Sequence, residues 1–379
     1  MGLGDGGGAW FKLKGIMFIP NELLARKGNP YPECAKLRID RAVRLPSFGT
    51  MEHAGPHYHR LRVSDPEDFA EAIRGSHLTA CLLARSPGMS QLERIDLPHT
   101  CLDTASIASS FLFTGEMAAD CFSLICVTAC PLEGHSFNFS TRHRSGYIGL
   151  FRPGGEIDAF VPAGYASATL IIPRDLLLRE LAARFPEIPP VWLVKGVGLA
   201  IPAASQRRID SLLQMRRELA DASPGWLKDE RRRASFEEEL IEVFVEALRD
   251  KWGQPQPLTP APRLKRYGAL RKIRDHIADQ RGRLLRLDDL CIASGMSRRG
   301  LEYLFKDHFG IGVNAFIRCQ RLHGARRAIH DASPVPGVVK RVALEWGFWH
   351  LGRFSAEYRG LFGENPSDTV GRVGETTAD

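Results

Sequence analysis

Between residues 64 and 173 the apolar positions fall in short runs or alternate with polar ones, as in 78–84, 122–129, 147–151 and 168–172. Runs of four to nine residues bounded by turn formers predict strands. Pro153, Gly154 and Gly155 before, and Pro162 and Gly164 after, bracket residues 156–161 as a hairpin strand. A sandwich or small barrel is the natural closure of so many short strands. Residues 1–63 lack such a pattern, and the glycine-rich start predicts a partly disordered segment.

The period then lengthens. Residues 173–185, 204–222 and 228–252 carry apolar positions at helical spacing, the last with Ile241, Phe244, Val245 and Leu248 on one stripe. Such a stripe either packs on its own domain or forms a dimer interface. Pro255, Pro257, Pro260 and Pro262 then make 253–263 an extended, stiff spacer and the clearest domain boundary. The chain therefore reads as multidomain α+β, with a β-rich domain over 64–252, an all-α domain over 264–372 and a short polar tail over 373–379.

One pattern occurs twice beyond the spacer. Leu287, Leu290, Cys291, Gly295 and Ser297 precede Leu301, Leu304 and Phe305; Val339, Val342, Ala343, Gly347 and Phe348 precede Phe354, Tyr358 and Leu361. A small residue four positions before a glycine lets two helices approach across a tight turn, and the glycine supplies the positive φ that ends the first. Ser297 is placed to cap the second helix, whose apolar face recurs at i, i+4. The glycines stand 52 residues apart, which predicts two helix-turn-helix units. Between them, 314–331 predicts a linking helix that buries Phe316, Ile317, Leu322, Ala325, Ala328 and Ile329. Recognition helices held about 34 Å apart on one side would enter successive major grooves.

Charge points the same way once it is divided by region. The net charge is +7, but residues 263–379 hold 21 Lys+Arg against 13 Asp+Glu, and the first 262 hold 30 against 31. A basic excess confined to one domain fits a nucleic-acid partner. The eight cysteines lack paired CxxC spacing, so a disulfide framework or zinc site is not indicated. No apolar run is long enough for a membrane span, and a cytoplasmic, nucleoid-associated protein is expected. His57 and His59, with His53 nearby, have the HxH form of a metal site, but the carboxylate expected just beyond them is missing, so no cofactor is expected. Neither a metal enzyme nor a non-specific architectural DNA protein accounts for two differently composed recognition helices.

The run from Trp346 to Ser367, WGFWHLGRFSAEYRGLFGENPS, resembles the signature of the AraC/XylS family of bacterial transcription regulators. The second turn is one residue longer than the first, in keeping with the resemblance: 6 positions from Gly295 to Leu301 against 7 from Gly347 to Phe354. Cys291 stands where alanine is usual, and His350 replaces a more ordinary cap. The resemblance implies an N-terminal cupin-like β-domain that binds a small-molecule effector, a helical segment that makes a homodimer, and a C-terminal domain that touches promoter DNA and RNA polymerase. The ethanolamine-type regulators are the nearest in style, and control by a partner protein in place of a ligand is the alternative.

On this reading the first recognition helix presents Arg298, Arg299, Glu302 and Tyr303 to the groove, and the second presents His350, Gly352, Arg353 and Ala356. Arginine suits guanine O6/N7, and a carboxylate can accept from cytosine N4. Lys306, Arg341 and Arg359 are assigned to phosphates.

Overall fold

The computed structural model describes residues 50–370 apart from internal stretches, the longest being 187–196 and 250–260. Two sheets make up the N-terminal part. Strands β1 (Thr50–Gly55), β2 (Tyr58–Val63), β4 (Ser90–Asp96), β5 (Cys101–Ser106), β7 (Cys121–Ala129), β10 (Tyr147–Phe151), β12 (Ala166–Pro173) and β13 (Val197–Ala200) form an eight-stranded sheet in the order β1-β2-β4-β5-β12-β7-β10-β13. Strands β3 (His77–Ala84), β6 (Ser110–Glu116), β8 (Ser136–Asn138), β9 (Thr141–His143) and β11 (Glu156–Val161) form a five-stranded sheet in the order β3-β6-β11-β8-β9. The sheets remain separate, so the expected barrel or sandwich takes the two-sheet form.

The larger sheet is buried on both faces. Leu61, Val63, Leu92 and Val127 belong to a core shared with Phe111, Phe113 and Phe160 of the smaller sheet. Their alternating neighbours Tyr58, Ile95, Leu124, Cys126, Ile148 and Leu170 belong to a second core with three helices. Those helices are α1 (Arg174–Arg184), α2 (Ala203–Ala222) and α3 (Glu230–Arg249), with a 3-10 turn at Pro224–Lys228 between the last two. A strand covered on both faces needs apolar residues at every position, which is why β10 reads as an unbroken run.

Two sequence expectations change here, and a third that was left open is decided. Residues 50–63, read from sequence as part of a poorly patterned and partly disordered segment, form the antiparallel β1–β2 hairpin, in which His53 pairs across from His59. Charged and polar residues occupy many of its positions because Arg60 and His59 have carboxylate partners, Glu93 at 3.0 Å and Asp96 at 3.2 Å. The Ile241, Phe244, Val245 and Leu248 stripe is buried against its own domain. The spacer is shorter than expected, since α4 (Ala261–Asp279) begins before residue 263 and tolerates Pro262 in its first turn. Residues 1–49, the rest of the spacer and the tail lie outside the described residues.

Beyond α4 come α5 (Leu287–Ser294), α6 (Arg298–Phe309), α7 (Val313–His330), α8 (Val338–Glu345), α9 (Leu351–Phe362) and α10 (Pro366–Thr369). Helix α7 is buried over much of its length, with Phe316, Ile317, Leu322, Ala325 and Ile329 in the core as expected, while Ala328, expected there too, is only partly buried against it. It also docks on the edge strand β3. The Cys319 thiol donates to the Leu83 carbonyl at 3.3 Å, His323 Nε2–H donates to the Leu82 carbonyl at 3.1 Å, and Phe160 meets Phe309 edge-on at 5.6 Å. A free strand edge is thereby covered, and the helical part is joined to the smaller sheet.

Candidate nucleic-acid interface

The two repeats agree down to single hydrogen bonds. Gly295 (φ 68°) and Gly347 (φ 79°) are both left-handed, a conformation that costs a side chain but not glycine. In the first unit Gly295 N–H donates to the Ile292 carbonyl at 3.3 Å and Met296 N–H to that of Cys291 at 3.3 Å. In the second, Gly347 N–H donates to Leu344 at 3.0 Å and Phe348 N–H to Ala343 at 2.8 Å. The recognition helices α6 and α9 are each 12 residues long and end at left-handed Gly310 and Gly363. Their buried faces correspond as well: Leu301, Phe305 and Phe309 in α6, Phe354, Tyr358 and Phe362 in α9.

The N-terminal ends of α6 and α9 differ. Ser297 caps α6 by accepting from Gly300 N–H at 3.2 Å, as its position predicts. His350 occupies the N-cap of α9 without a side-chain hydrogen bond to the helix. The free N–H groups of that first turn, and the helix dipole behind them, favour an anion such as a phosphate. Trp349 beside it is 75% exposed, while Phe348, Phe354, Tyr358 and Phe362 meet in tilted and edge-on pairs at 4.7–5.6 Å. Sequence reasoning passed over Trp349; its signal was one aromatic more than the helical period uses.

Arg298, Arg299, Tyr303, Lys306, Arg341, His350, Gly352, Arg353, Ala356 and Arg359 are all exposed, with the sheets docked elsewhere. Several are engaged with neighbours. Arg298 bonds Asp288 of α5 at 2.7 and 3.1 Å, Arg353 bonds Glu357 at 2.9 Å, and Arg341 lies 3.4 Å from Glu345. These pairs are solvent-exposed and weak, so they hold the guanidinium groups without sequestering them. The Arg266 guanidinium of α4 lies 5.2 Å from the centre of the Tyr303 ring. At Gly352 a Cβ would meet nothing within 4 Å, which leaves the start of α9 open to close approach.

Glu302 is placed differently from the other ten. Its carboxylate accepts from Val313 N–H at 3.1 Å and lies 3.6 Å from Lys306 Nζ. Gly312, the N-cap of α7, has no side chain to satisfy that end, and Glu302 does so from the neighbouring helix. The expected cytosine acceptor is thus held as a helix cap in the free protein. Glu302→Ala should lower stability by about 1 kcal/mol, visible in urea melts as a reduced midpoint at constant slope, before any DNA is added.

Helix α7 ties both units together. Arg321 donates to the Leu285 carbonyl at 3.0 Å ahead of α5, Arg318 lies 3.3 Å from Glu357 of α9, and Arg326 lies 3.3 Å from Glu364. Tyr358 is fully buried, its hydroxyl 2.7 Å from Thr369 Oγ1, and burial pushes its phenol up to about 12. The neutral phenol stays bound to α10 and closes the second unit from beneath.

Comparison with known proteins agrees with this geometry. A helix-turn-helix domain family matches residues 290–372. The chain is 40% identical over 88 residues to the XylDLEGF operon transcriptional activator of Pseudomonas putida, covering 23% of this chain and 27% of that protein. It is 28% identical over 120 residues to a probable thc operon regulatory protein of Rhodococcus erythropolis, 32% of this chain and 34% of that one. Among solved structures, the AraC-like transcriptional activator CuxR aligns over 65% of this chain and 86% of its own, at 15% identity and a TM-score of 0.32. The match to the P. putida activator therefore spans about a quarter of that relative's length. The C-terminal helical part of this chain is an AraC-type helix-turn-helix domain, homologous to those of the XylS/AraC-family transcriptional activators.

Proposed function

We propose that this protein is a bacterial transcription regulator that reads two successive major grooves of promoter DNA. Two equivalent recognition helices with exposed basic residues, fixed on one buried linking helix, carry this reading. The names of its relatives extend it to transcriptional activation, and RNA polymerase is the protein partner that the family resemblance implies. The N-terminal sheets act as the regulatory part, sensing a small molecule, and the working form is a homodimer in the cytoplasm. Its dimer contact uses a surface other than the buried stripe of α3.

Within the interface, Arg353 and Arg298 serve as base readers, with Arg299, Tyr303, Gly352, Ala356 and Trp349 bordering the same groove surfaces. Lys306, Arg341, Arg359 and the first turn of α9 at His350 hold phosphates. Glu302 supports this surface by capping α7. Selection from random duplexes should yield a site of about two helical turns. On that site Arg353→Ala should weaken binding by about 1–3 kcal/mol and relax one position of the sequence. Lys306→Ala should weaken all sequences alike and reduce the salt slope by about one charge. An Arg353→Ala protein with unaltered affinity and specificity would remove Arg353 from the readers, and failure to enrich any site would overturn the function.

A further inference from the structure

A group of unpartnered buried donors lies over the outer face of the larger sheet, away from the helix-turn-helix units. Among the described residues, four buried side-chain atoms have no hydrogen-bond partner: Arg216 Nε and Nη1, Trp226 Nε1 and Arg233 Nε. All four are N–H donors. All come from the continuous segment of α2, the 3-10 turn and α3, and all three residues are more than nine-tenths buried. Buried donors are ordinarily matched by acceptors, so a group of donors alone defines a deficit of negative charge and lone pairs.

The acceptors nearby are already engaged. Arg216 Nη2 donates to Glu93 Oε2 at 2.6 Å, while Glu93 Oε1 takes Arg60 Nε at 3.0 Å and Gln91 Nε2 at 2.6 Å. One carboxylate thus faces two guanidinium groups. Arg233 uses its Nη1 on the Leu227 carbonyl, the residue next to Trp226, which ties its side chain, with the orphaned Nε, to the 3-10 turn. Arg60 also donates to the Tyr58 hydroxyl at 2.9 Å, so the start of β2 lies against the same carboxylate that Arg216 uses.

We infer that this corner, between α2, the 3-10 turn, α3 and the start of β2, binds a small oxyanion such as a carboxylate or phosphate group. The anion accepts from Arg216, Arg233 and the Trp226 indole, and it neutralises the second buried guanidinium. The inference rests on reading the N-terminal part as regulatory, and it gives that part an anionic signal bound under the helices, outside the space between the sheets.

Thermal melts of the whole protein with acetate, inorganic phosphate or neutral acetamide, at constant ionic strength, test it. Acetate or phosphate should raise Tm saturably and quench part of the tryptophan fluorescence, and acetamide should do neither. Trp226→Phe keeps the ring and deletes one donor, and should weaken apparent affinity about tenfold. Arg216→Met combined with Glu93→Gln removes both charges together and should abolish the response. The site is overturned by no saturable response to either anion, by an equal response to acetamide, or by a response unchanged in both variants. DNA binding by the same wild-type preparation is recorded alongside: its loss would count against the regulator reading, and its persistence without an anion response would remove this site alone.

Discussion

Asp103→Ala should cost about 3–5 kcal/mol of folding stability, a large share of what a domain of this kind possesses. Asp103 and Arg94 are a cross-strand pair on β5 and β4. Arg94 is two residues from Leu92 along β4, so both point between the sheets, and Leu92 belongs to the core there. The guanidinium donates twice to the carboxylate, at 2.8 and 2.6 Å, and once to the Ala72 carbonyl at 2.9 Å, while the Cys101 thiol lies 3.4 Å from the same carboxylate. Asp103 is 5% exposed. Deleting it leaves a cation with one carbonyl for company in a site that water barely reaches, and desolvation is then uncompensated. Because the pair is satisfied within the chain, it is a staple between strands and not an empty receptor for an effector. Replacing both partners, Arg94→Met with Asp103→Leu, should recover most of the loss. Urea melts of the two proteins decide the matter. A single variant within 1 kcal/mol of wild type, by the same denaturant criterion, would mean that the pair is solvated.

That pair also marks the limit of what could be read from sequence. Strands β10 and β11 were legible to the residue, because apolar runs end abruptly at Gly146, Gly154 and Gly164, each with positive φ. Strands β2 and β4 were not, since YHRLRV and SQLERID carry several charges each and look solvated. Their partners, Glu93 for Arg60 and Arg216, and Asp103 for Arg94, lie on other strands or 123 residues away on α2, and only the fold brings them together. The helix-turn-helix units were legible for the opposite reason. Their determinants, a small residue, a glycine, a cap and an i, i+4 face, all lie within about one and a half dozen residues, where local sterics act directly. The same contrast holds within the interface. Exposure of Arg353 follows from its helical phase opposite Phe354 and Tyr358, whereas the engagement of Glu302 depends on where α7 begins.

Gly324→Val should cost about 3 kcal/mol and strip the protein of sequence-specific DNA binding. Glycine inside a helix is unfavourable by about 1 kcal/mol relative to alanine, so its place in the middle of α7 requires a packing reason. Trp346 supplies it. The indole sits against α7 at Gly324, where a Cβ would fall among its ring carbons. Trp346 is the C-cap of α8, one residue before the left-handed Gly347, so displacing it moves the turn that aims α9. The first unit is anchored elsewhere on α7, through Arg321 to Leu285 and Glu302 to Val313, and should keep its place. Specific affinity should therefore fall by the contribution of a whole half-site, several kcal/mol at about 1–3 kcal/mol per base pair, while salt-sensitive non-specific binding persists. Gly324→Ala should be milder, because better helix propensity offsets part of the clash. Titration of both variants against a selected site and a scrambled duplex separates the two effects. If Gly324→Val kept specific affinity, α9 would be positioned by something other than the indole resting on α7, and the linking helix would lose its role as the ruler between the two units.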